Sequence, residues 1–216
     1  MITYNHQYNQ YPIQCCEHRT YGYSVDTLAK LDSLLAHMTT RFSKVLFVRF
    51  DVRYPQELAY SVDNVLFSNF MGTLVRYCQR KEYAPAYMWV REHDSALNHH
   101  YHCIMLFNGH KIQNSYGVLQ KAQELWALQL NTAVPGLVNF CAPTAMPNQY
   151  WLMLRNNQQN TNDMYNQGFQ WGSYLAKVDT KEENLHGVRT VGSSRIPKTL
   201  YQNSLANYKN SQETTK

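Results

Sequence analysis

The 216-residue sequence has no cysteines at C-x-x-C spacing, no apolar stretch of bilayer length and no internal repeat. Its five cysteines, Cys15, Cys16, Cys78, Cys103 and Cys141, are odd in number and irregularly spaced. That argues against a disulfide framework and a zinc ribbon and fits a reducing compartment. No apolar run approaches the ~18–20 residues that cross a bilayer, and the opening MITYNHQYNQYPIQ lacks the apolar core flanked by positive charge of a secretory leader. The expectation is a soluble, cytoplasmic protein with no membrane partner. No Gly- or Pro-rich linker divides the chain.

What is present suffices for one core. The chain is 44% hydrophobic and 13% aromatic, with a formal charge of +5 and a pI of about 8.9, a balance that favours a polyanion such as nucleic acid. Seventeen tyrosines offer rings that stack on unpaired bases, although any single one more readily packs in a core. The predicted organisation is a polar arm over 1–23, one domain over 24–195 and a polar, disordered tail over 196–216.

Periodicity predicts the elements. Leu28, Leu31, Leu35, Met38 and Phe42 recur every three or four residues, the mark of an amphipathic helix, with Ser24 as its N-cap. KVLFVRFDVR predicts a strand over 44–53. A second helix carries the stripe Val62, Leu66, Phe70, Leu74 and Cys78. PAYMWVREH and HHYHCIMLFN read as strands joined across DSALN, and Val118, Ala122, Leu125 and Leu128 mark a third helix. Short strands follow in PGLVNFCAP and YWLMLRN, then a polar loop and a last helix from about 163 to 177 that Gly168 and Gly172 weaken. The fold class is α+β, with an antiparallel sheet of about five strands flanked by helices.

Two histidines in one strand raise the chemical question. Alternate strand residues share a face, so His100 and His102 stand about 6.6–6.8 Å apart along the strand, close enough to hold one divalent metal. Chance alone supplies roughly 0.4 His-x-His pairs at this composition, so the motif by itself is weak. A third ligand is needed, and Glu92, His93 and Asp94 on the preceding strand are the candidates. An even pairing register puts Met88, Val90, Glu92 and Asp94 on the histidine face, and an odd one puts Trp89, Arg91 and His93 there. The even register continues the apolar side of Ile104 and Leu106, which makes Glu92 the leading ligand and Asp94 the reserve. Downstream, in WGSYLAKVDTK, Tyr174 and Lys177 stand three apart and share a face if the segment is helical.

The pattern YMWVREHD, HHYHCIMLFNG and, some seventy residues on, YLAKVDTK resembles the HUH endonucleases of the replication-initiator type, and most closely the prophage and filamentous-phage replication proteins of the YagK/YfjJ family. The likeness spans roughly residues 44–194. It implies a ferredoxin- or RRM-like HUH fold that nicks and rejoins single-stranded DNA through a 5′-phosphotyrosyl intermediate to start rolling-circle replication. By this resemblance His100 and His102 match the metal ligands, Glu92 the acidic third ligand, Tyr174 the nucleophile and Lys177 the lysine one turn beyond it. The implied cofactor is Mg²⁺ or Mn²⁺. The implied partners are origin or hairpin single strands with a host helicase and polymerase.

Chemistry agrees with that assignment, because a phenol of pKa near ~10 needs a neighbouring cation to become a nucleophile and a Lewis acid on its target. In relatives of the relaxase type the tyrosine precedes the histidines, which keeps Tyr4, Tyr8, Tyr11, Tyr21 and Tyr23 in view. Two other readings stand: a non-catalytic single-strand binding domain with structural histidines, and a phosphoesterase that uses water as nucleophile.

Overall fold

The computed structural model describes residues 1–14, 22–56, 59–61, 63–92, 98–144, 146–155, 161–178 and 187–213, the side chains of 161 and 162 excepted. The arm opens with short strands β1 (Ile2–Thr3), β2 (Gln7–Tyr8), β3 (Tyr11–Pro12) and β4 (Tyr23–Ser24). Then come α1 (Val25–Arg41), β5 (Lys44–Arg53), α2 (Val65–Arg80), β6 (Ala86–Glu92), β7 (His100–Asn108), α3 (Tyr116–Leu130), β8 (Val138–Phe140), β9 (Leu152–Arg155), α4 (Thr161–Ser173), a 3₁₀ turn (Tyr174–Ala176), β10 (Val191–Ser193) and α5 (Lys198–Glu213). Ser24 caps α1, its Oγ accepting from the Thr27 amide at 3.3 Å.

Six of the strands form one antiparallel sheet in the order β10–β6–β7–β5–β8, with β9 sharing the β5 edge. This is the expected α+β architecture with one strand more than the sequence suggests. The sixth, β10, lies against β6 with Gly192 opposite Trp89. Any Cβ at Gly192 would fall within 2.4 Å of the Trp89 ring, so only glycine lets the strands meet there.

Both faces of the sheet are covered, which explains the unbroken apolar run of β7 in an antiparallel setting. One face packs Val48, Phe50, Trp89, Tyr101, Met105 and Phe107 against Phe67, Phe70 and Leu74 of α2 and Leu119, Ala122 and Trp126 of α3. The other packs Phe47, Met88, Val90, Ile104 and Leu106 against Leu28, Leu31 and Leu35 of α1 and Phe169 and Trp171 of α4. Fully burying each large apolar chain stabilises the fold by about 1.5–3 kcal/mol.

The ends of the chain differ from expectation. The arm pairs β1 with β4 and β2 with β3, and its Tyr8 is fully buried, stacked on Tyr208 of α5 at 4.8 Å. The polar tail instead contains the 16-residue helix α5. Its inward row, Tyr201, Ser204, Leu205 and Tyr208, is mostly polar-tipped and so lacks an aliphatic stripe. Hydrogen bonds hold it: Ser204 Oγ donates to Asp32 at 2.6 Å and Tyr201 Oη to Asp26 at 3.1 Å. Among the described residues no helix is long and apolar enough to cross a membrane.

Candidate metal centre and its tyrosine

Three adjacent strands build the centre. Alternation along β5 puts Arg49 and Asp51 on the α1/α4 face, and β7 puts His100 and His102 there. In the β6–β7 pairing Glu92 stands opposite His100 and Val90 opposite His102, which is the even register. From the other side Asp51 stands opposite His102. His93 and Asp94, the other candidate ligands, lie outside the described residues.

Glu92, His100 and His102 each offer one ligand atom, and these atoms lie within 4.8 Å of one another. His100 Nε2 is 3.2 Å from His102 Nε2 and 3.4 Å from Glu92 Oε2, which also contacts His102 Nε2. The three residues are only 7%, 9% and 4% exposed, so a charge among them is poorly screened. On its far side His102 Nδ1 donates to Asp51 Oδ1 at 2.6 Å. That bond orients the ring so that Nε2 points toward Glu92 and His100, the outer support that metal-bound histidines usually have. Two imidazole nitrogens and a carboxylate oxygen converging on one point fit a divalent cation.

Electrostatics tie the group together. Burial pushes the Glu92 carboxyl up, but hydrogen bonds from His100 and His102 outweigh it and hold it well below the usual carboxylate range. Burial likewise opposes charge on His102, yet bonds to Asp51 and Glu92 raise its pKa. The Asp51 carboxyl lies below its ordinary value, burial being offset by its bond to His102 and by Arg49.

The tyrosine comes from the α4 end of the chain. Tyr174 begins the 3₁₀ turn after α4, and its ring meets His102 edge-on, centroids 5.1 Å apart at 85°. Gly168 and Gly172 bring α4 that close. A Cβ at Gly172 would stand 2.9 Å from Leu31 Cδ1 and 3.1 Å from Phe47 Cζ, so the glycines that weaken the helix in sequence are its points of contact. Burial raises the Tyr174 pKa, with Glu92 adding to the rise and Arg49 opposing it.

The helix predicted through Lys177 ends earlier. Lys177 leaves the turn with φ −54° and ψ 136°, and its Nζ lies 6.0 Å from the Tyr174 ring centroid. Arg49 is closer, with Cζ 4.0 Å from the centroid. Neither Arg49 nor Asp51 is singled out by motif. The signal available was a charged residue at every second position of an otherwise apolar strand. Of the early tyrosines, Tyr8 is buried against α5 and Tyr23 donates to the Gln14 carbonyl, Tyr4 is exposed, and Tyr21 lies outside the described residues.

Fold and site together define an α+β protein with a candidate metal group of two histidines and a carboxylate on the sheet, faced by a tyrosine. The chain belongs to the YagK/YfjJ C-terminal domain family, whose model matches residues 3–194. The match takes in the N-terminal arm and stops short of α5. No curated protein and no solved structure is significantly similar to the chain.

Proposed function

We propose that this protein is a metal-dependent single-strand DNA endonuclease and ligase of the HUH type, using Tyr174 as nucleophile and initiating rolling-circle replication of a phage, prophage or plasmid-like element. The observation that carries the reading is the Tyr174 ring set against His102 of the buried Glu92–His100–His102 group. Those three side chains would hold Mg²⁺ or Mn²⁺, which supplies Lewis acidity toward a non-bridging phosphate oxygen.

The chain's own groups do the rest. Asp51 keeps His102 oriented. Arg49 is 7% exposed, its Nη1 donates to the Trp171 carbonyl at 3.5 Å, and its Nε has no hydrogen-bond partner among the described residues. A phosphate oxygen is the acceptor that such a donor takes, and the same guanidinium favours the phenolate of Tyr174. Tyr174 Oη attacks phosphorus, the P–O3′ bond breaks, the phenolic proton passes to solvent and the departing 3′ oxygen takes up a proton. A 5′-phosphotyrosyl link and a free 3′-OH result. Because the phosphodiester energy is kept in that link, a 3′-OH can reverse the step and rejoin the strand.

Labelled single-stranded DNA incubated with Mn²⁺ and run on a denaturing gel tests this. A slow-migrating adduct is expected with the native chain and none with Tyr174→Phe, whose ring preserves the contact with His102. An adduct in Tyr174→Phe would move the nucleophile elsewhere, and cleavage without any adduct would make water the nucleophile.

A further inference from the structure

Beside the tyrosine, α4 borders a cavity that the nicking chemistry does not use. Gln167, Gln170 and Trp171 of α4, Gln14 of the arm, and Thr144 and Met146 beyond β8 line a space of about 390 Å³. That size falls in the range of ~300–1,000 Å³ common to small-molecule sites. Among the described residues no ionisable side chain lines the cavity. Three carboxamides and a hydroxyl offer paired donors and acceptors, while Trp171 and Met146 supply apolar wall.

Such a lining discriminates between ligands. A phosphate or carboxylate would be held there without a countercharge, at a desolvation cost. A neutral planar ring with amine and carbonyl groups on its edge matches it. Gln14 is held in place, its backbone tied by bonds from its amide to Ser173 Oγ at 2.8 Å and from Tyr23 Oη to its carbonyl. Its side-chain Oε1 is buried without a hydrogen-bond partner among the described residues. Such a buried acceptor is costly while nothing donates to it, and a rotation of the side chain into the cavity it lines would let an exocyclic amine do so.

Gln170 precedes Tyr174 by four residues, just over one helical turn or ~6 Å along the axis. The carbonyl of Trp171 is the one that accepts from Arg49, so the cavity wall and the cation over Tyr174 are joined. A nucleotide next to a phosphate at Tyr174 would be placed to reach the cavity.

We propose that the cavity is a specificity pocket for one unpaired nucleobase of the bound strand, read by Gln167, Gln170 and Gln14. The identity of the strand as DNA rests on the nicking reading, and base recognition by the carboxamides is independent of cleavage. The test uses the full chain and a pool of random single-stranded 12-mers. Without metal, the retained strands are sequenced. With Mn²⁺, covalent adducts are counted separately.

The expected result is one position at which a base is favoured about tenfold, as a good side-chain-to-base pair provides. Gln167→Ala/Gln170→Ala should flatten that position alone, and both residues are exposed on the helix, so folding is preserved. Failure to retain any strand, retention without a preferred base, or a preference unchanged in the double variant each overturns the pocket. A glutamine-dependent preference without adducts supports the pocket while rejecting the nicking reading. Adducts with an unaltered preference do the reverse.

Discussion

Arg49 lies over the ring of Tyr174 at 4.0 Å, inside the distance at which a cation and an aromatic face attract, whereas the Lys177 ammonium stands at 6.0 Å on the edge of that range. The cation nearer to the Tyr174 ring therefore lies on β5. Arg49→Gln is expected to slow formation of the Tyr174–DNA adduct by about tenfold or more, in line with the loss of one fixed electrostatic group at a reacting centre. Lys177→Ala is expected to slow it less. Timed denaturing gels compare the two, and the opposite ranking would return the role to the lysine.

Asp51 is not one of the three candidate ligands, yet its bond to His102 Nδ1 at 2.6 Å sets the orientation of that ring. Asp51→Asn keeps the shape and removes the charge. Mn²⁺ affinity should fall by about ten- to a hundredfold, the usual effect of losing such outer support. Calorimetric titration reads it directly, and an unchanged dissociation constant would leave Asp51 a purely structural partner.

Gly172 tests the close approach of α4. Replacement by alanine improves helix propensity by up to ~1 kcal/mol, but the new Cβ meets Leu31 and Phe47, and overpacking of that kind costs about 1–3 kcal/mol. The urea midpoint should drop and adduct formation with it, because the turn bearing Tyr174 is lifted from the sheet. Gly117 in α3 is the control: a Cβ there meets nothing within 4 Å, so Gly117→Ala should lose neither stability nor activity.

Asp32 gives a pH test remote from the metal group. Its carboxylate accepts from Ser204 at 2.6 Å and Tyr165 at 2.8 Å, but burial dominates and raises its pKa. A carboxyl with a folded pKa above its unfolded value of ~3.9 contributes stability that is full below the unfolded value and lost as pH rises through the folded one. The stability of the native chain relative to Asp32→Asn should therefore decline as pH is raised from about 4 into the neutral range. Urea unfolding across that range measures the difference, and a pH-independent gap would mean that Asp32 titrates alike in both states.

Much of the sheet was readable because β5, β6 and β7 carry strong local signals. KVLFVRFDVR ends where the observed strand ends, and the apolar continuity of Met88 and Val90 with Ile104 and Leu106 was enough to put Glu92 on the histidine face. Arg49 and Asp51 were hidden by the same strand, since their contacts depend on which neighbours pair with β5 and on where α4 arrives. The arm and α5 were unreadable for a different reason. Tyr8, Asp32, Tyr165 and Ser204 are polar in sequence, and only their mutual hydrogen bonds, across more than a hundred residues, make them interior. The two glycines of α4 misled in the same way, because helix propensity knows nothing of Leu31.

The two halves of the candidate centre differ in how far the chain must travel to assemble them. Glu92, His100 and His102 belong to adjacent strands of one antiparallel pair and can meet as soon as β6 finds β7, while Tyr174 must wait for α4 to dock from about seventy residues downstream. Contacts closed over short loops form early and those over long loops late. On dilution from urea, metal capture is therefore expected to return before strand cleavage, leaving an interval in which the protein holds its ion with no nucleophile beside it.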